Sequence, residues 1–196
     1  MIILYNAINS KYTYKGTDVL INKLGIKEEE KLKKYEVKMV ALKMAIIMKE
    51  QKIYDISEER FKYIHFFLFS DLYEFAGKYR EENITKDNFM FSDYKYIDEN
   101  MKIIFAKIDI DKLSKIDFDS MVKFISEIMT DLNVLHPFRE GNGRATREFI
   151  RELLKKLGYK INFFDIDYNE ILEASRLAVI DDSYQIKILK NSIEKN

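Results

Sequence analysis

His136, Glu140, Arg144 and Arg147 fall inside the twelve-residue string His136-Pro137-Phe138-Arg139-Glu140-Gly141-Asn142-Gly143-Arg144-Ala145-Thr146-Arg147. Each has a chemical use. Gly141-Asn142-Gly143 tolerates positive φ, so successive backbone N–H groups can turn toward one point and form an anion nest. A helix beginning there adds its unpaired N–H groups and the positive end of its dipole. Arg144 and Arg147 stand three apart, hence on one helix face, and their planar forks suit phosphate oxygens. Glu140 is a hard oxygen ligand beside the nest, placed to hold Mg²⁺ bridging phosphates. His136 is the nearby group able to take a proton near neutral pH. Pro137 stiffens the exit from the preceding helix, and Phe138 is expected to plug the loop into the core. Taken singly, a Gly-Asn-Gly turn or two helical arginines are ordinary structure; together in so short a span they read as a polyphosphate site with a general base.

The rest of the composition isolates this segment. Six Gly and one Pro are few for 196 residues, and Pro137, Gly141 and Gly143 lie in the loop. Four of the seven Arg (Arg139, Arg144, Arg147, Arg151) lie between 139 and 151, while the chain elsewhere prefers Lys. Lys+Arg and Asp+Glu balance at 33 each, which removes the broad electrostatic case for a nucleic-acid or membrane-surface binder. With no Cys, disulfide scaffolds, thiolate catalysis and Cys-ligated metals are excluded. The two His, His65 and His136, are far apart in sequence, so a His-rich metal cage would need heavy help from carboxylates. Hydrophobic content of 47% argues for a folded core. No apolar run reaches the ~18 residues of a membrane span. Met1 to Asn6 has neither basic flank nor cleavage site, so no signal peptide is read and a cytoplasmic protein is expected.

Helical spacing dominates the elements that must position the loop. Leu32, Tyr35, Met39, Leu42 and Ile46 mark one apolar face, and Phe61, Ile64, Leu68 and Leu72 a second. Leu113, Ile116, Phe124, Ile128, Leu132 and Leu135 mark a long third that ends just before His136. Phe149, Ile150, Leu153, Leu154 and Leu157 line a fourth, closed by Gly158 as C-terminal cap. Shorter helices are expected at about 168–179 and 183–194. Lys27 to Lys34 reads as a solvated helix start. Segment 79–92 lacks the helical period, and Asp87-Asn88 suits a turn, so a β-hairpin is expected there. No repeat or linker divides the chain, so 1–196 is expected to be a single domain, with an amino-terminal segment (1–56) packed on the core.

The loop resembles the signature of the Fic (filamentation induced by cAMP) family, His-x-Phe-x-Asp/Glu-Gly-Asn-Gly-Arg-x-x-Arg. His136, Phe138, Glu140, Gly141, Asn142, Gly143, Arg144 and Arg147 match every defined position. Ile64-His65-x-x-Leu68-Phe69 and Tyr73-x-x-Ala76-Gly77-x-x-Arg80 resemble the block before the family's flap; Ile84-Thr85-Lys86 with Phe91 resembles the flap, where Asp87-Asn88 replaces the more usual Gly. Tyr12-x-Tyr14-x-Gly16-Thr17-Asp18-Val19-Leu20-x-Asn22-Lys23 resembles the amino-terminal segment of many bacterial members. The resemblance implies an all-α fold, a helical bundle with a small β-hairpin flap, that transfers AMP from Mg·ATP to a Tyr, Ser or Thr hydroxyl of a target protein.

Carried over by position, His136 would deprotonate that hydroxyl and Glu140 would hold Mg²⁺ (or Mn²⁺). Gly141, Asn142 and Gly143 would form the anion hole, and Arg144 and Arg147 would bind the β- and γ-phosphates. The flap, about residues 83–92 with Ile84, Thr85, Lys86 and Phe91, would dock the target chain by strand-like pairing. His65 carries no catalytic role and is read as a packed or hydrogen-bonded histidine.

The nearest rival within the family is a Doc-like protein kinase, a branch with Lys where this chain has Gly143; a rival of another class is a non-catalytic phosphate-binding interaction module, which His136 disfavours. A DNA-binding regulator lacks a basic recognition helix. Many relatives carry an inhibitory Ser/Thr-x-x-x-Glu-Gly/Asn helix whose Glu pairs with the second motif arginine. No Glu-Gly or Glu-Asn here has Ser or Thr four residues earlier. A small antitoxin-like partner supplying a Glu in trans to Arg147 is therefore expected, with the chain acting as a toxin or regulator.

Overall fold

The computed structural model describes residues 10–50, 52–86 and 89–196; the Met1 to Asn6 start and the Asp87-Asn88 turn lie outside them. Two helices meet at the loop. Helix α5 (Phe118–Leu135) starts where the Asp117 side chain accepts the Ser120 N–H, and runs to His136. Helix α6 (Asn142–Lys156) leaves from Gly141. It packs between α5 and α2 (Glu58–Phe69), whose N-cap Ser57 accepts the Arg60 N–H. Ala145, Phe149, Ile150, Leu153 and Leu154 are all fully buried, so α6 is the central rod of the bundle. One hydrophobic cluster draws on residues from Val40 to Ile193.

The other elements enclose this trio. Helix α1 (Glu29–Lys49) covers α2, and α3 (Ile97–Ala106), absent from the sequence reading, packs on α5 and α2. Helices α4 (Ile110–Leu113), α7 (Tyr168–Leu177) and α8 (Ser183–Ser192) complete the bundle. The expected hairpin is present: β1 (Thr85–Lys86) pairs antiparallel with β2 (Phe89–Met90) in the register Thr85↔Met90 and Lys86↔Phe89. Before it, Lys23 N–H donates to the Leu72 carbonyl (2.8 Å) and Tyr12 packs edge-on against Phe75, so residues 10–26 brace the segment that leads into the flap. Among the described residues, no helix is long and apolar enough to cross a membrane.

Three local expectations are corrected. The apolar face of α1 is not Leu32-Tyr35-Met39-Leu42-Ile46: Tyr35, Leu42 and Ile46 are exposed, and Leu32, Val40, Met44 and Ile47 are buried. Both sets have helical spacing, and the buried one passes through a charged residue, Glu36, that pattern reading skips. The long third face is two helices, because Asp117 caps a new start after α4 and leaves Ile116 outside helix. The carboxy-terminal helix ends at Ser192, and β4 (Ile193–Lys195) pairs antiparallel with β3 (Tyr159–Ile161) after the Gly158 turn, where φ is +86°.

Candidate active site

The loop between α5 and α6 is closed by its own polar groups. His136 takes a left-handed conformation (φ 49°) at the end of α5, so the chain turns sharply into Pro137. The Asn142 side chain clamps the loop shut: Oδ1 accepts the Phe138 N–H and Nδ2 donates to the Phe138 carbonyl, both 2.8 Å. Phe138 is fully buried and stacks on His65 at 3.7 Å between centroids, as expected of a plug. Gly141 has φ +85°, and a Cβ there would lie 2.3 Å from the Phe69 ring, so only Gly fits. At Gly143 a Cβ would come within 3.2 Å of the Arg147 guanidinium.

Hydrogen bonds fix the tautomers of both histidines. His136 Nδ1 lies 3.2 Å from the Asn133 carbonyl, which only accepts; Nδ1 therefore carries the proton and Nε2 keeps its lone pair. His65 is the reverse: its Nδ1 accepts the Gly77 N–H (2.8 Å) and its Nε2–H donates to the Glu140 carbonyl (2.8 Å). His65 is thus the hydrogen-bonded structural histidine expected, and it holds the backbone of the loop's carboxylate residue. Burial pushes the pKa of His65 down to about 3 against the Glu140 contact, with Arg144 adding to the fall. Burial likewise pushes His136 down to about 3; the Asn133 contact opposes, and Lys86, Arg80 and Arg139 reinforce.

Stability should therefore depend on pH. Between pH 6.5 and about 3 the unfolded chain binds protons at both histidines and the folded chain does not, so stability falls as pH falls. Going from pH 7 to 5, each histidine is expected to remove about 2 kcal/mol. Urea midpoints across that range check this; a midpoint independent of pH would contradict it.

Phe91 in the flap is buried and stacks on the His136 ring at 3.8 Å. Ile84 is fully buried, while Thr85 and Lys86 are half-buried and the opposite strand, Phe89–Met90, faces solvent. Arg80, at the end of the block that precedes the flap, joins flap to loop. Its buried guanidinium donates to the carbonyls of His136 (2.8 Å), Leu135 (3.1 Å), Glu82 (2.7 Å) and Ser92, capping α5 and tying both ends of the flap. Burial lowers its pKa to about 10. Arg80→Lys, which lacks the fork, is expected to cost about 2–4 kcal/mol in denaturant unfolding; an unchanged midpoint would contradict this role.

The four clustered arginines divide. Arg139 pairs with Glu82 (3.1 Å) at the flap base, and Arg151 with Glu148 (2.6 Å) on α6 itself. Arg144 holds Glu140 (3.1 Å) and Glu36 (2.7 Å), and burial opposes its charge less than those carboxylates support it, so its pKa is raised. Arg147 makes no ion pair among the described residues; burial and Arg144 lower its pKa to about 10. Glu140 Oε1 also accepts the Gly141 N–H (2.8 Å). No group of three metal-ligating side chains occurs among the described residues, but Glu140 is a half-buried hard-oxygen donor beside the α6 start, a chemistry that suits a divalent ion. The α5–α6 loop thus joins an imidazole whose Nε2 carries no proton to a helix start bearing two arginines.

A sequence model described as the Fic/DOC family matches residues 55–154, just over half the chain. The chain belongs to that family. It is 34% identical over 172 residues to protein adenylyltransferase VbhT of Bartonella schoenbuchensis, a match covering 87% of this chain and 36% of that protein, so the chain spans about a third of VbhT's length. It is 25% identical to "Probable protein adenylyltransferase Fic" of Escherichia coli, covering 93% of this chain and 90% of that one. The solved structure of BepC from Bartonella tribocorum, a VirB-translocated effector with bound AMPPNP, superimposes with TM-score 0.87 at 22% identity, covering 94% of this chain and 97% of that chain. That likeness establishes the fold as that of Fic domains.

Proposed function

We propose that this chain is a protein adenylyltransferase that moves AMP from Mg·ATP onto a Tyr, Ser or Thr hydroxyl of a target protein. The observation that carries the reading is the α5–α6 loop: an imidazole with a proton-free Nε2 stands at one end, and the α6 start, with Arg144 and Arg147, at the other. Nε2 of His136 takes the hydroxyl proton, the oxygen attacks the α-phosphorus, and the bond to the α–β bridging oxygen breaks to release pyrophosphate. The α6 start around Gly141, Asn142 and Gly143 holds phosphate oxygens, Asn142 acting by shaping the loop. Arg144 and Arg147 stabilise the leaving charge as preorganised cations. Glu140 would hold Mg²⁺ or Mn²⁺, which neutralises phosphate charge when bound. The nucleotide's negative charge, set against Lys86, Arg80 and Arg139, raises the His136 pKa toward the working range of a base.

In the flap, buried Ile84 and Phe91 anchor the hairpin, and the target's chain pairs along it beside Thr85 and Lys86. Gly143 leaves Arg147 room that a side chain would take, which favours nucleotidyl transfer over the Lys-bearing kinase branch. Mass spectrometry of lysate proteins incubated with the chain and Mg·ATP tests the reading: targets gain one AMP residue, whereas gain of a single phosphate would overturn it.

Regulation in trans is part of the same proposal, for a toxin or regulator acting in the cytoplasm. A groove of about 700 Å³ between α1, α6 and α7 has an apolar floor including Val40, Met44 and Ile171, with Arg144 and Arg147 in its wall. An amphipathic helix of a small antitoxin-like partner fits it and brings a Glu to Arg147, an interaction of about 2–5 kcal/mol when desolvated. Co-expression with a small partner that carries such a helix should silence transfer, and Arg147→Ala should abolish its capture; a chain that is silent alone contradicts this.

A further inference from the structure

Glu36 is the charged residue on the buried stripe of α1, in the run Leu32, Glu36, Val40, Met44 and Ile47. A carboxylate needing only solvation would face outward, as Glu29 and Glu30 do. Instead Oε1 meets the Arg144 guanidinium at 2.7 Å, and Oε2 accepts the hydroxyl of Tyr73, whose side chain is fully buried. Three separate segments therefore converge on one contact: α1, the turn after α2, and α6. Arg144 is further seated over the Phe69 ring, with its Cζ 4.7 Å from the centroid, and Phe69 is the ring that Gly141 approaches.

We propose that Glu36, held by Tyr73, is a positioning residue that fixes the Arg144 guanidinium toward the β- and γ-phosphates; this rests on the nucleotide reading of the site. Arg144 stands one turn from Arg147, and their like charges push them apart. A long side chain so placed swings toward solvent unless something holds it, and an arginine loses substantial rotamer freedom when ordered. Glu36 uses only one of the guanidinium's terminal nitrogens, and Glu140 the other, so further N–H donors remain for phosphate oxygens. Glu36 is set by the α1 core stripe and by Tyr73, so it does not depend on Arg144 for its place. A carboxylate that merely competed with phosphate would have to withdraw when ATP arrived, and the Tyr73 bond holds it in position.

Calorimetric titration of the full chain with ATP and with AMP, each with Mg²⁺, tests this in wild type, Glu36→Ala, Glu36→Gln and Tyr73→Phe. AMP lacks the phosphates that Arg144 would bind. Glu36→Ala is expected to weaken ATP about tenfold and leave AMP within about twofold, because one charge-assisted contact is misplaced. Glu36→Gln keeps the acceptor at the same reach and should restore ATP affinity to within about threefold of wild type. Tyr73→Phe should shift ATP in the same direction as Glu36→Ala, by less. Tighter ATP binding in both Glu36 variants would overturn the proposal in favour of a competing carboxylate. Equal losses for ATP and AMP would overturn it in favour of a fold defect, and unchanged affinities would overturn it outright. Absence of ATP binding by the wild-type chain would instead overturn the nucleotide reading beneath it.

Discussion

Replacing His136 by Ala is expected to lower AMP transfer by at least about a hundredfold while ATP affinity stays within about threefold. The two halves of this result follow from separate pieces of structure. His136 ends α5 and is held by Asn133, Phe91 and the Arg80 bond to its carbonyl. The proposed nucleotide donors belong to α6 and its start, clamped by Asn142 and seated against Phe69. The carbonyl of residue 136 survives the substitution, so Arg80 keeps its anchor. Loss of the buried imidazole also removes its share of the acid sensitivity, so the stability of His136→Ala should fall by about 2 kcal/mol less than that of wild type between pH 7 and 5. Single-turnover transfer and ATP titration measure the two halves, and a collapse of ATP binding along with activity would contradict the division.

Glu140→Gln and Glu140→Ala are expected to reduce transfer by at least about a hundredfold and to flatten its dependence on Mg²⁺ concentration. The backbone at this position is held by His65 rather than by the carboxylate, so the loop should keep its shape. The side chain also bridges the Gly141 N–H and Arg144, and the Gln variant retains an acceptor for both. Undiminished wild-type transfer in excess chelator would remove the metal role from Glu140.

Much of this site was legible because the chemistry is local. The His136-to-Arg147 string lies in one loop and one helix turn, and the glycines there have a steric reason visible as a +85° φ and a ring against Gly141. The bundle was legible where apolar residues are buried on one face, as on α2. It was misread on α1, where Tyr35, Leu42 and Ile46 keep helical spacing yet face solvent, and where Glu36 interrupts the true stripe. Glu36, the charge that breaks the apolar pattern of the buried face, is the residue that reaches Arg144. Arg80 was missed as a hub because its partners are carbonyls 2 to 56 residues away, and sequence spacing carries no trace of them. The β3–β4 ribbon escaped for the same reason, since its strands pair across more than thirty residues.

The central claim is that the α-phosphorus of ATP, and not the γ-phosphorus, is placed before His136. Transfer run in parallel with ATP labelled at the α- or the γ-phosphate, in wild type and His136→Ala, tests it most directly. Label from the α-position should appear on target protein with wild type alone, and label from the γ-position should leave as pyrophosphate. Protein-bound label from the γ-position only, or α-label transfer that survives in His136→Ala, would contradict the account.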